Sequence, residues 1–142
     1  TYPNPDHERD KILNYINQLI NSKENVYLYT SLGQLLYLSV LKYSKCVIGN
    51  SSSGISEAPY FGVKTINIGS RQKGRPRCSS IVDVTGDSEI IFNEINNSLK
   101  FDHTSNKCQI YGPPGASEKI LYFLEHNIGN FSKKIGFSDI VF

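Results

Sequence analysis

The chain has 142 residues, of which 39% are hydrophobic and 20% charged, with a net charge of +2. That is enough chain to bury one core, and too little charge to suggest a nucleic-acid partner. No apolar run approaches the roughly 20 residues that span a bilayer, and the polar start Thr1 to Asp10 lacks the apolar centre of a signal peptide; a cytoplasmic protein with no membrane partner is expected.

The opening Thr1-Tyr2-Pro3-Asn4 reads as the exit of a strand whose body is absent, so the chain is expected to be a fragment of a longer polypeptide. Ile12, Tyr15, Ile16, Leu19 and Ile20 recur at helical spacing behind Asp6 as a cap, which predicts a helix from Pro5 to Ser22. Val26 to Tyr29 reads as a short strand. Leu35, Leu36, Leu38, Val40 and Leu41 predict a strongly apolar helix. Cys46 to Ile48 reads as a buried strand stopped by Gly49, and Ile55 to Phe61 as a short helix containing Pro59. Strands are predicted at Thr65 to Ile68 and Ile81 to Val84. Helices are marked by Ile90 to Leu99 and by Ile120 to Leu124.

Short apolar strands alternating with helices predict an α/β fold, a Rossmann-like parallel sheet with helices on both faces. One domain over residues 1–142 is expected, with a tail at 127–142. Ligands of such sheets bind beyond the C-terminal strand ends. That rule selects Tyr2 to Asp6, Thr30 to Gly33, Gly49 to Gly54 and Gly69 to Arg77. Cys46, Cys78 and Cys108 lie far apart with no metal-like spacing, and read as free thiols in a reducing compartment. His7, His103 and His126 show no zinc pattern. Neither metal nor cofactor is expected.

The strongest local signal is Gly49-Asn50-Ser51-Ser52-Ser53-Gly54-Ile55-Ser56-Glu57, which leaves a strand and opens a helix. Small residues admit a ligand close to the backbone, and N–H groups and hydroxyls at a helix start favour an anion. Ser51 and Ser52 therefore suit a diphosphate. Glu57 would repel that anion and better suits the hydroxyls of a ribose. The plainer reading is that the serines cap a helix and Glu57 is a first-turn carboxylate. A second signal places Arg71, Lys73, Arg75 and Arg77 within seven residues after a strand. Arginine forks suit phosphate oxygens, though a solvated basic loop would look the same. Tyr2-Pro3-Asn4-Pro5-Asp6 says locally only turn and helix start.

Taken together, these motifs resemble the hydrolysing UDP-N-acetylglucosamine 2-epimerases of sialic-acid and related nonulosonate biosynthesis. The Tyr-Pro-Asn-Pro-Asp opening, Gly49 to Pro59 and Asn67 to Arg75 carry the resemblance, which covers most of Thr1 to Leu124. It implies two Rossmann-like domains facing a cleft, the glycosyltransferase-B architecture, with this chain most of the C-terminal domain. It implies that Asn4, Leu32, Ser51, Ser52, Glu57 and Arg71 bind the UDP of a UDP-sugar, with Leu32 by the uracil. It implies a missing N-terminal catalytic domain as partner, and a homo-oligomer for the full-length protein. The acid-base groups of the family lie outside this chain, so no catalytic residue is assigned here and the chain alone is expected to be inactive. One departure stands: where the family has Asn-Pro-Tyr-Gly-Asp-Gly, this chain has Gln109 to Gly115, which keeps the Tyr-Gly pair and loses the acid. Alternatives are the nucleotide domain of a glycosyltransferase of the same architecture, an epimerase acting on a UDP-diacetamido sugar, and a non-catalytic binding module.

Overall fold

The computed structural model describes residues 9–102 and 107–128. The chain divides after Ile110 into two compact units. The first holds α1 (Arg9–Ser22), α2 (Gly33–Tyr43), β1 (Cys46–Gly49), α3 (Ser53–Ser56), a 3-10 turn (Ala58–Phe61), β2 (Lys64–Ile68), β3 (Ile81–Val84) and α4 (Ser88–Leu99). The second holds α5 (Ala116–Asn127).

The three strands form one parallel sheet in the order β1-β2-β3. Cys46 stands opposite Lys64, and Thr65 opposite Ile81. Alternation along β2 sends its side chains to opposite faces. Thr65 Oγ1 donates to the Gly54 carbonyl of α3 at 2.7 Å. Its neighbour Lys64 pairs with Glu94 of α4 at 2.9 Å. Helices therefore cover both faces of the central strand, as the pattern of short apolar strands requires. The fold is α/β and Rossmann-like.

Packing follows from these registers. Ile66 is fully buried, and Leu41, Ala58 and Val63 form a cluster closed over by Tyr37, Leu38, Val47 and Phe61. This cluster joins α2, β1 and the 3-10 turn. Asp87 caps α4, its carboxylate accepting from the Glu89 and Ile90 amides at 2.9 and 3.0 Å. The Glu94 carboxyl is held below the usual range by its hydrogen bonds from Lys64 and Asn97.

Three expectations are corrected. Val26 to Tyr29 is not a strand. A strand exists through ladder hydrogen bonds, and among the described residues β1 pairs only with β2. The predicted helix from Ile55 to Phe61 is two pieces: α3 ends at Ser56, and Pro59 lies in the first turn of the 3-10 segment. Proline has no N–H to donate to the carbonyl four residues back, and its ring crowds that carbonyl, which breaks or kinks an α-helix. The thiol expectation fails at two of three positions. Cys78 and Cys108 form a disulfide, and Cys46 alone is free. The Cys108 amide donates to the Pro59 carbonyl at 2.9 Å, which fixes the 107–110 segment beside the 3-10 turn. Spacing in sequence, 30 residues, could not show that approach. The other helices and strands lie where predicted, with ends shifted by a few residues. The start of the helix predicted from Pro5, and most of the tail at 127–142, lie outside the described residues.

α3 reaches the sheet because Gly54 has no side chain. A Cβ there would stand 2.7 Å from Thr65 Cγ2, and Thr65 is buried and hydrogen-bonded. Gly54→Ala is expected to cost about 1–3 kcal/mol in denaturant unfolding, and Gly54→Ala with Thr65→Ser, which removes that methyl, to recover much of it. The disulfide restrains the unfolded chain across its loop. Cys78→Ser is expected to lower stability by about 2–4 kcal/mol, and a thiol reductant to lower the parent, but not the variant, by a similar amount.

Candidate functional site

Gly49 ends β1 at φ +142, a backbone region that residues with a Cβ rarely adopt, and so turns the chain over the strand end. The following loop enters the single turn of α3. Ser52 stands at the N-cap, but its hydroxyl makes no capping bond and the residue is exposed. Its carbonyl instead accepts from the Ile55 and Ser56 amides at 2.9 and 3.0 Å. Ser51 Oγ accepts from the Ser53 amide at 3.4 Å, a long bond. The reading of these serines as side-chain caps thus does not hold for Ser52 and holds only through one long bond for Ser51.

The start of α2 faces this loop. Leu32 is the N-cap of α2, and Ser31 Oγ accepts from the Gly33 amide at 3.2 Å. One turn further, the Tyr37 hydroxyl shares a short hydrogen bond with Ser53 Oγ. Between the two segments lies an open cleft of about 420 Å³. Leu32, Ser51 and Glu57 line it together with Ser31, Gln34, Tyr37 and Ser53. Its walls thus offer one aliphatic side chain, several hydroxyls and one carboxylate. That combination suits a flat base beside a polyhydroxylated sugar: the hydroxyls donate or accept, and a carboxylate accepts from paired sugar hydroxyls.

Of the residues selected from sequence, Leu32, Ser51 and Glu57 come together on this cleft. Ser52 sits next to it in the chain without being among its lining residues. Arg71 is exposed on the turn after β2 and is not in the lining either. Asn4 lies outside the described residues. Tyr37 and Ser53 were not foreseen. The one signal was a tyrosine placed among leucines in an apolar helix, which sequence alone reads as core.

The basic loop is built on polar anchors. Gln72 is buried, and its Nε2 donates to the Asn50 carbonyl at 2.7 Å, tying this loop to the one before it. Arg77 Nε pairs with Asp83 Oδ2 at 3.1 Å, and its Nη2 donates to the Gln72 carbonyl at 2.7 Å. Asn67, buried in β2, donates to the same carboxylate. Burial disfavours the charge on Asp83, but hydrogen bonds from Asn67 and Arg77 and the positive guanidinium outweigh it, and its carboxyl titrates below the usual aspartate value. Among the described residues no group of three or more His, Cys, Asp or Glu side chains could hold a metal ion.

The sequence is matched by a family profile and by curated relatives. A family profile described as UDP-N-acetylglucosamine 2-epimerase matches residues 1–125. The chain belongs to that family. Its Rossmann-like sheet fits the two-domain glycosyltransferase-B architecture expected of these epimerases. Among curated relatives, the chain is 57% identical over 56 residues to a GDP/UDP-N,N'-diacetylbacillosamine 2-epimerase (hydrolyzing) of Campylobacter jejuni, a match covering 39% of this chain and 15% of the relative. It is 53% identical over 60 residues to a polysialic acid biosynthesis protein of Escherichia coli, covering 42% and 15%. It is 35% identical over 95 residues to a UDP-N-acetylglucosamine 2-epimerase of Neisseria meningitidis serogroup B, covering 66% and 24%. The matched part thus spans between 15% and 24% of the length of these relatives. No helix among the described residues of this epimerase-family chain is long and apolar enough to cross a membrane.

A depressed carboxyl pKa stabilises the fold above the ordinary aspartate value of about 3.9, and that contribution is lost as pH falls through the lowered value. Asp83→Asn is therefore expected to unfold at lower denaturant than the parent at pH 7. The pair is partly exposed, so the gap should be small, about 0.2–1 kcal/mol, and should narrow as the pH is taken down into the acid range where Asp83 protonates. Paired denaturation curves at pH 7 and in that acid range check this; a gap that widens in acid would contradict it.

Proposed function

We propose that this chain is the UDP-binding C-terminal part of a hydrolysing UDP-N-acetylglucosamine 2-epimerase that releases UDP and N-acetylmannosamine. The observation that carries the reading is the convergence of Leu32, Ser51 and Glu57 on one cleft at the C-terminal end of β1. Family membership supports it, and so does the hydrolysing relative.

In this reading UDP is eliminated from the sugar to give a 2-acetamidoglucal, and water adds with inversion at C2. Glu57 accepts hydrogen bonds from the ribose hydroxyls. Ser51 and Ser52 donate to the diphosphate, Leu32 packs by the uracil, and Arg71 and Asn4 complete the nucleotide site. Donors held in place before the reaction stabilise the charge that develops on the departing diphosphate without having to reorganise. Proton transfer at C2 falls to carboxylates and histidine of a catalytic N-terminal domain. The cleft needs no metal or organic cofactor for this role. A place in sialic-acid or related nonulosonate synthesis is supported by the name of the Escherichia coli relative. A second reading keeps the same nucleotide site and changes the sugar to a diacetamido one; the 57% identity to the Campylobacter jejuni enzyme favours it.

In the full-length enzyme, Glu57→Ala is expected to weaken both UDP and uridine, since both carry the ribose. Ser52→Ala is expected to weaken UDP far more than uridine. A hydrogen bond to a charged group is worth about 1.5–3 kcal/mol, or roughly ten- to a hundredfold in affinity. Calorimetric titration alongside thermal melts checks this. Variants that melt earlier yet bind UDP like the parent would make the loop structural and the nucleotide assignment wrong. Product analysis with the two UDP-sugars separates the two sugar readings, and a glycosylated acceptor in place of free sugar would point to a glycosyltransferase.

A further inference from the structure

The sequence places four cations in one short loop, and family resemblance assigns only Arg71 of them to the nucleotide. The other three line a cleft of their own. A second open cleft, of about 390 Å³, lies beyond the ends of β2 and β3, lined by Lys73, Arg75 and Arg77 with Ser70 and Asp83. It shares no lining residue with the Leu32–Glu57 cleft. We propose that this second cleft is an anion site separate from the nucleotide cleft, taking the phosphate or carboxylate group of a small ligand.

Charge bookkeeping within the lining gives three cations against one carboxylate, a net of +2. Arg77 and Asp83 cancel each other, bonded at 3.1 Å. Arg77 also donates to the Gln72 and Arg75 carbonyls at 2.7 and 3.3 Å, so its role is to hold the loop in shape. The surplus charge therefore belongs to Lys73 and Arg75, which flank Gly74 and are both exposed. Two like charges lining one cleft repel each other, and an oxyanion between them lowers that cost. An arginine fork and a lysine point charge are complementary donors for such a group, and the Ser70 hydroxyl adds a third. Asp83 would repel an anion if unpaired; bonded to Arg77 and Asn67, it is neutralised locally. The buried Gln72, donating to the Asn50 carbonyl, anchors the turn from within, so its backbone needs little ordering on binding.

The test is calorimetric titration of the full-length protein with pyrophosphate and, separately, with malonate, in the presence of saturating UDP. UDP fills the nucleotide cleft, so any anion bound then occupies another place. The parent is expected to bind at least one of the two anions under these conditions. Lys73→Ala with Arg75→Ala should weaken that binding by about tenfold or more and leave UDP affinity within about twofold, which also reports that the variant is folded. Lys73→Arg with Arg75→Lys, which keeps both charges, should retain most of the binding. Preference for pyrophosphate assigns the site to phosphoryl groups, and preference for malonate to carboxylates. Absence of binding in the parent, full displacement of the anion by UDP, or an unchanged affinity in the alanine variant would each overturn the proposal. A protein that binds the anions through Lys73 and Arg75 but does not bind UDP would instead count against the nucleotide reading alone.

Discussion

The contact on which the rest of the unit depends is the approach of Gly54 to Thr65. With no Cβ at 54, the backbone of α3 comes down onto the central strand, and the Thr65 hydroxyl satisfies the Gly54 carbonyl where water is excluded. An unpaired carbonyl in that position would cost the full desolvation of the group, so the hydroxyl is as necessary as the missing side chain. Once α3 is seated, Ser53 meets Tyr37 of α2, and Glu57 faces the Leu32 loop. Pro59 then forces the chain from α-helix into the 3-10 turn, which buries Ala58 under Leu41. Position of the candidate nucleotide cleft is thus a consequence of one close packing event on β2.

The loop after β2 is fixed by different means. Buried polar groups anchor its middle. Gln72 reaches the Asn50 carbonyl, Arg77 spans from Asp83 to the Gln72 carbonyl, and Asn67 holds Asp83. Charge-assisted hydrogen bonds of this kind shape a loop without covering it, which leaves Lys73 and Arg75 exposed on its outer side. The disulfide joins the end of this loop, at Cys78, to the segment that rests on Pro59. The loops after β1 and β2 are therefore tied to each other through Gln72–Asn50, and the Cys78–Cys108 bridge ties the second of them to the segment beside the 3-10 turn.

Much of this was legible beforehand because it rests on periodicity. A strand such as Ile81–Val84 or a helix such as Ser88–Leu99 repeats its apolar residues at a spacing that only one backbone conformation presents to a single face. Ser51 and Glu57 were legible because parallel sheets place ligands at C-terminal strand ends, and because small residues and a carboxylate after Gly49 are chemically unusual. For Leu32 the strand-end rule selected only the surrounding stretch Thr30 to Gly33; its place by the uracil came from family resemblance. Val26–Tyr29 misled because β propensity describes side chains, while a strand needs a neighbour. Tyr37 was invisible as a site residue because a tyrosine among leucines is read as core, and its hydroxyl partner lies 16 residues away.

The sequence alone determined the α/β class, the order of most elements, the position of the serine and arginine loops, and the family. Each of these depends on local chemistry or on motif spacing within a few residues. Only the tertiary structure decided which of the singled-out residues share a cleft, that Lys73, Arg75 and Arg77 line a cleft apart from Leu32, Ser51 and Glu57, and that Cys78 and Cys108 meet. Those outcomes depend on distances between segments far apart in the chain, and such distances are set by how α3 packs on Thr65 and how Gln72 and Arg77 fold their loop back, which no local pattern of residues encodes.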